Sequence, residues 1–286
     1  MHTLILSIAC SVAVSIFLKL ARRGAIHVDQ AIFVNYLTAG ALCLFLLRPD
    51  TARLLDQPAE AWWILSLLGV LLPSIFLVMA AAVRHAGIVL SDAAQRLSLT
   101  IPLLAAFLLF GETLSGMKLA GIALAFAALA CLLTRPDARA RGPAAAGPAA
   151  LVALLGVWLG YGTIDILFKQ LAKSGAAFSS SLLLSFAMAA VLMLAWLSLR
   201  RGTPWNTRSL ASGVLLGLLN FGNIYFYIRA HQTFPQNPTL VFAAMNIGVI
   251  SLGTLVGAGI FRERLGRLNA LGIALALAAV VLLIPR

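Results

Sequence analysis

The sequence predicts an all-α integral membrane protein, with ten transmembrane helices arranged as two inverted five-helix repeats. Three observations carry that expectation. Hydrophobic residues make up 62% of the 286 positions and charged residues 10%, with a mean hydropathy of +1.00; a soluble domain is about a quarter charged. Apolar segments of about 20 residues follow one another with short breaks, the length that crosses roughly 30 Å of hydrocarbon while satisfying its own backbone hydrogen bonds. The chain also repeats itself. Phe110-Gly111-Glu112-Thr113-Leu114, followed by Gly121-Ile122-Ala123-Leu124-Ala125, returns 151 positions later as Phe261-Arg262-Glu263-Arg264-Leu265, followed by Gly272-Ile273-Ala274-Leu275-Ala276.

The first repeat occupies residues 1–134, with spans expected at 3–21, 29–47, 61–82, 88–110 and 114–133. The first span lacks a basic start and a cleavage site and reads as a retained helix. Pro73 and Pro102 are expected to break or kink the third and fourth. Residues 135–148, rich in Arg, Ala, Gly and Pro, form a linker. The second repeat occupies 149–286, with spans at 150–170, 178–199, 209–229, 239–260 and 266–284. Pro235 and Pro238 make the segment from His231 to Pro238 a longer connection. An odd number of spans per half inverts the second half relative to the first, as in carriers built from inverted repeats.

The net charge of +12 comes from bases at helix ends, which orient a chain in a membrane and meet anionic lipid; nucleic acid is not the expected partner. Counting those bases puts twelve on the connections between spans 1–2, 3–4, 5–6, 7–8 and 9–10 and six on the opposite face, which places both termini outside. Cys10, Cys43 and Cys131 lie in apolar segments without metal-ligand spacing and read as small hydrophobes. No phosphate-binding glycine loop, His-Glu-x-x-His or serine elbow occurs, so no cofactor is expected and driving force must come from ion or substrate gradients.

Charges inside spans are costly and are candidates for function. Asp165 precedes Lys169 by four residues on one face of span six, and Asp92 precedes Arg96 likewise in span four. Each carboxylate reads either as a coupling or charge-selecting group lining a cavity, or as half of a structural ion pair. Lys19 is the repeat mate of Lys169, 150 positions earlier. The amides Asn35, Gln95, Asn220, Asn223 and Asn246, with the Tyr227 hydroxyl, form a substrate-binding set or an interhelical hydrogen-bonding one. Glu112 and Glu263 are expected to be structural, at the starts of spans five and ten. Gly121/Ala125, Gly272/Ala276 and Gly253/Gly257 are expected packing seams, and His85 and His231 are expected to be solvated in connections. The copies differ where Asp165 faces Ser15 and Asp92 faces Ala243 in the repeat, and function is expected there.

Ten spans as five plus five, closed in each half by FGETL or FRERL and then GIALA, resemble the drug/metabolite transporter superfamily, in its EamA-type bacterial branch. The resemblance covers essentially the whole chain. It implies a multi-pass carrier of the bacterial inner membrane, with a central cavity between inverted halves and both termini in the cytoplasm, against the charge count. The function expected is secondary active export of a small metabolite or drug-like molecule by alternating access, proton-coupled and not enzymatic. The alternative is a lipid-carrier flippase or accessory subunit of the same fold. Partners expected are the small-molecule substrate and membrane lipids, with the chain a monomer or homodimer.

Overall fold

The computed structural model describes residues 1–21, 26–51, 54, 56–133, 147–173, 178–200, 204–260 and 266–284. The expected linker lies almost wholly outside them, as does Glu263. Regular structure among the described residues is helical: α1 (His2–Ala21), α2 (Val28–Leu42) running into a π-helical turn (Cys43–Leu47), α3 (Ala59–Leu97), α4 (Thr100–Leu108), α5 (Gly116–Leu133), α6 (Pro148–Lys173), α7 (Phe178–Leu199), α8 (Thr207–Thr233), α9 (Pro238–Ile260) and α10 (Arg267–Leu283). Six segments are long and apolar enough to cross a membrane, and four further apolar helices are shorter. The protein is a multi-pass membrane protein.

The third and fourth spans are not separated where the sequence suggested. A single helix of 39 residues, α3, runs through 83–87 without interruption and through Pro73. Nothing at 83–87 ends a helix, because Arg84 and His85 are exposed on its surface and cost little there. The break comes instead at Ser98 and Leu99: Pro102 has no N–H to donate to the Ser98 carbonyl four residues earlier, and Ile101 N donates to it instead at 3.0 Å. Local donors take up the carbonyls freed at that break. Ser98 Oγ donates to Gln95 O at 2.6 Å, and Thr100 Oγ1 donates to Leu97 O at 2.9 Å. The Trp158 indole N–H also donates to Leu97 O, at 3.1 Å.

Two compact units each draw on both halves of the sequence. One comprises Leu77–Ile166 and Thr233–Arg286 together with Met1; the other comprises His2–Phe76 and Leu167–Gln232. In the first, α5 packs along α10. A Cβ on Gly121 would lie 2.8 Å from Leu283 Cγ, so only glycine permits that approach. At Gly253, one half of the expected Gly253/Gly257 seam, no described residue beyond its own stretch of α9 comes within 4 Å of where a Cβ would be. Leu129, Phe126, Ile250 and Ile273 form a core shared by α5, α9 and α10.

Glu112 has a structural role in the same unit, though not at the start of α5. Ser115 caps α5 by accepting from Lys118 N at 3.2 Å. The Glu112 carboxylate instead accepts from Thr239 N at 2.9 Å and Thr239 Oγ1 at 2.7 Å, at the positive first turn of α9. Its other oxygen pairs with Lys118 at 3.0 Å.

The second unit is a bundle around α2, α7 and α8. Tyr36 and Phe186 place their rings 6.3 Å apart across α2 and α7, and Phe186 meets Phe221 of α8 at 6.5 Å. Glycines on α8 bring α2 close: a Cβ on Gly213 would lie 2.7 Å from Ala31 O, and one on Gly217 would lie 2.8 Å from Asn35 O. Their four-residue spacing is the small-xxx-small pattern that lets membrane helices touch backbone to backbone.

Candidate functional site

Four residues singled out from the sequence come together with others on and around α8. Asn220, Asn223, Tyr227 and His231 recur at helical spacing down one stripe of that helix. Ser7 of α1 donates to both the backbone O and the Oδ1 of Asn223, at 2.9 and 3.0 Å. Tyr227 is buried, with the Phe168 ring of α6 edge-on at 6.1 Å and the His231 ring at 4.8 Å. Lys169, next to Phe168, is 1% exposed and among the largest fully buried side chains. An ammonium held this deep in an apolar helix is costly and marks a place where charge has a use.

His231 was expected in a solvated connection, and the structure corrects this. It lies on the last turns of α8 and is 1% exposed. The signal that could have found it is its place four residues after Tyr227, which is itself four after Asn223. Pro235 and Pro238 drew the expected helix end too early; α8 runs to Thr233, and Asn237 N closes a turn onto Phe234 O at 3.2 Å. His85 sits within α3 and is exposed.

Asn35 belongs to the same unit and is wholly buried on α2. Neither Nδ2 nor Oδ1 has a hydrogen-bond partner among the described residues. Each buried polar atom left unpaired costs about 1–3 kcal/mol, so this amide is a standing capacity for hydrogen bonds that the fold does not use. Its own backbone carbonyl faces Gly217, one turn before Asn220.

The remaining candidates lie in the other unit or outside the described side chains. Gln95 is half-buried on the last turn of α3. Asn246 on α9 donates through Nδ2 to Phe242 O at 3.1 Å, a bond within its own helix that leaves less of the amide for a ligand. Asp165 is half-buried on α6, in the first unit, while Lys169 one turn later falls in the second. Lys19 lies on α1 and Asp92 on α3, but their side chains are outside the description.

Comparison with known proteins places this arrangement. Residues 1–134 match the EamA-like transporter family. An uncharacterized protein of Haemophilus influenzae is 53% identical over 284 residues, covering 98% of this chain and 96% of that one. A crystal structure of another protein superposes with a TM-score of 0.76 over 99% of this chain and 97% of that chain, at 16% identity. That likeness is one of fold.

Proposed function

Because the chain belongs to the EamA-like transporter family, matched over residues 1–134, we propose that this membrane transporter is a secondary active exporter of a small metabolite or drug-like molecule in the bacterial inner membrane. It works by alternating access between two inverted five-helix repeats, 1–134 and 149–286, joined by 135–148. Helices that correspond in the repeat pack on each other, α2 on α7 and α5 on α10, which supports that organisation. Residues in register are buried alike: Ala125 with Ala276, and Ala128 with Ala279. Protons drive the cycle, with Asp92 and Asp165 as the coupling carboxylates.

The observation that carries the binding site is the orphaned amide of Asn35. A fold that only needed helix contact would place an apolar residue of that shape there, whereas a carrier needs unspent donors and acceptors for its cargo. Asn220, Asn223 and Tyr227 supply further polar groups, and Lys169 a positive charge. The test is Asn35→Leu, nearly isosteric, in proteoliposomes. Thermal stability should hold or rise, because an unsatisfied buried amide is gone, while transport is lost. Normal transport by that variant would remove Asn35 from the site. Coupling is tested separately: Asp92→Asn and Asp165→Asn should abolish the pH dependence of transport, and the role is gone if both leave it intact. Thermal-shift screening against a metabolite library identifies the cargo, since a ligand of the folded state must stabilise it.

A further inference from the structure

Residues 204–206, just before α8, are held by a buried amide. Gln30 of α2 is 2% exposed; its Nε2 donates to Pro204 O, and its Oε1 accepts from Asn206 N, each at 3.0 Å. Ser209 Oγ accepts from His27 N at 2.8 Å, tying the start of α2 to the first turn of α8. Asn206 Oδ1 accepts from Arg208 N at 2.9 Å. The backbone so held presents the exposed side chains of His27, Trp205, Thr207 and Arg208. With Pro204 and Asn206 they line an open cleft of ≈ 450 Å³.

The surroundings of the cleft are amphipathic. Trp205 is 57% exposed and leans on Phe33, with ring centroids 6.1 Å apart. Asp29, in the first turn of α2, is engaged by Arg200 at 3.1 Å, and the same guanidinium covers Trp196 at 4.7 Å. Tryptophans at helix ends sit at the depth of lipid headgroups, and basic pockets beside membrane helices hold anionic ones. Residues 204–206 are pre-organised by these bonds, which lowers the ordering cost of binding.

We propose that this cleft seats the phosphate of an anionic lipid headgroup. Arg208 supplies the charge-assisted bonds, His27 and Thr207 add donors, and Trp205 packs against the lipid above its acyl chains. The Trp205 contact is what a lipid uses and free phosphate does not. The inference is independent of the cargo and coupling roles above.

The experiment uses the full chain in detergent, titrated with phosphatidylglycerol, phosphatidylcholine or inorganic phosphate, and reads thermal stability and lipid retained in native mass spectrometry. Phosphatidylglycerol should be retained and stabilising, the other two not. Arg208→Gln should weaken retention by about fivefold, the effect of one surface charge; Trp205→Ala should also weaken it. Arg84→Gln, at an exposed arginine of α3, should not. Equal retention of both lipids, stabilisation by inorganic phosphate alone, or equal losses in Arg208→Gln and Arg84→Gln would overturn the proposal.

Discussion

Glu112 and Thr239, 127 positions apart, share two hydrogen bonds through one carboxylate oxygen, at 2.9 Å and 2.7 Å. The acid of a repeated motif therefore holds the start of a helix in the other half of the sequence. Glu112→Ala should leave the first turn of α9 without its acceptor and Lys118 without its partner, lowering stability by about 1–3 kcal/mol. Glu112→Gln should cost less, because an amide oxygen still accepts from Thr239. Thermal unfolding in detergent compares the two; equal losses would mean that the Lys118 charge pair carries the effect and the cap little.

Gly217 and Gly253 should respond to alanine with opposite signs. A Cβ at 217 would meet Thr38 Cβ at 2.5 Å and Asn35 O at 2.8 Å, and overpacking of that kind costs about 1–3 kcal/mol. At 253 the space is open, and replacing a glycine inside a helix gains about 0.5–1 kcal/mol. Melting temperatures of the two single variants check both predictions, and a stabilised Gly217→Ala would refute the close approach of α2 and α8.

Trp158 donates to the Leu97 carbonyl, and to Thr100 Oγ1 at 3.2 Å, at the break between α3 and α4. Trp158→Phe keeps a ring but removes the donor, so stability should fall by about 0.5–1.5 kcal/mol. Combined with Pro102→Ala, which lets the backbone close its own bonds, the loss should shrink. Additive effects of the two substitutions, measured by thermal unfolding, would show that the indole does not serve the break.

Ser7→Ala should loosen α1 from α8, since it deletes the donor shared by the backbone O and Oδ1 of Asn223. The expected cost is about 0.5–1.5 kcal/mol. Hydrogen exchange should rise in α1 before it rises in α7; uniform exchange would mean the bond does not hold α1 in place.

Much of the helical framework was legible because lipid leaves few choices. Span seven was expected at 178–199 and is Phe178–Leu199, since an apolar run bounded by polar residues has only one way to cross hydrocarbon. The α3–α4 region was misread for a physical reason. Arg84 and His85 look like a connection, yet a helix tolerates both on its surface, and the proline that ends it acts on a carbonyl four residues earlier. Gly217 and Gly253 belong to the same kind of small-residue pattern, and only their neighbours distinguish a seam from open space. The Asn35 amide was visible as a polar residue in a span. That it lacks a partner among the described residues depends on packing, which no local pattern encodes.

Tyr36 and Phe186 are 150 positions apart and occupy corresponding places in the two halves, and their rings meet. If the halves are related as proposed above, a residue that touches its own counterpart lies on or beside their two-fold axis, because only there does the operation bring a site onto itself. Such a junction is self-complementary: bulk added on one side must be answered on the other. Under that organisation the aromatic pair is where divergence of the halves is most constrained, with a tyrosine hydroxyl set against a bare phenyl ring as the asymmetry the contact carries.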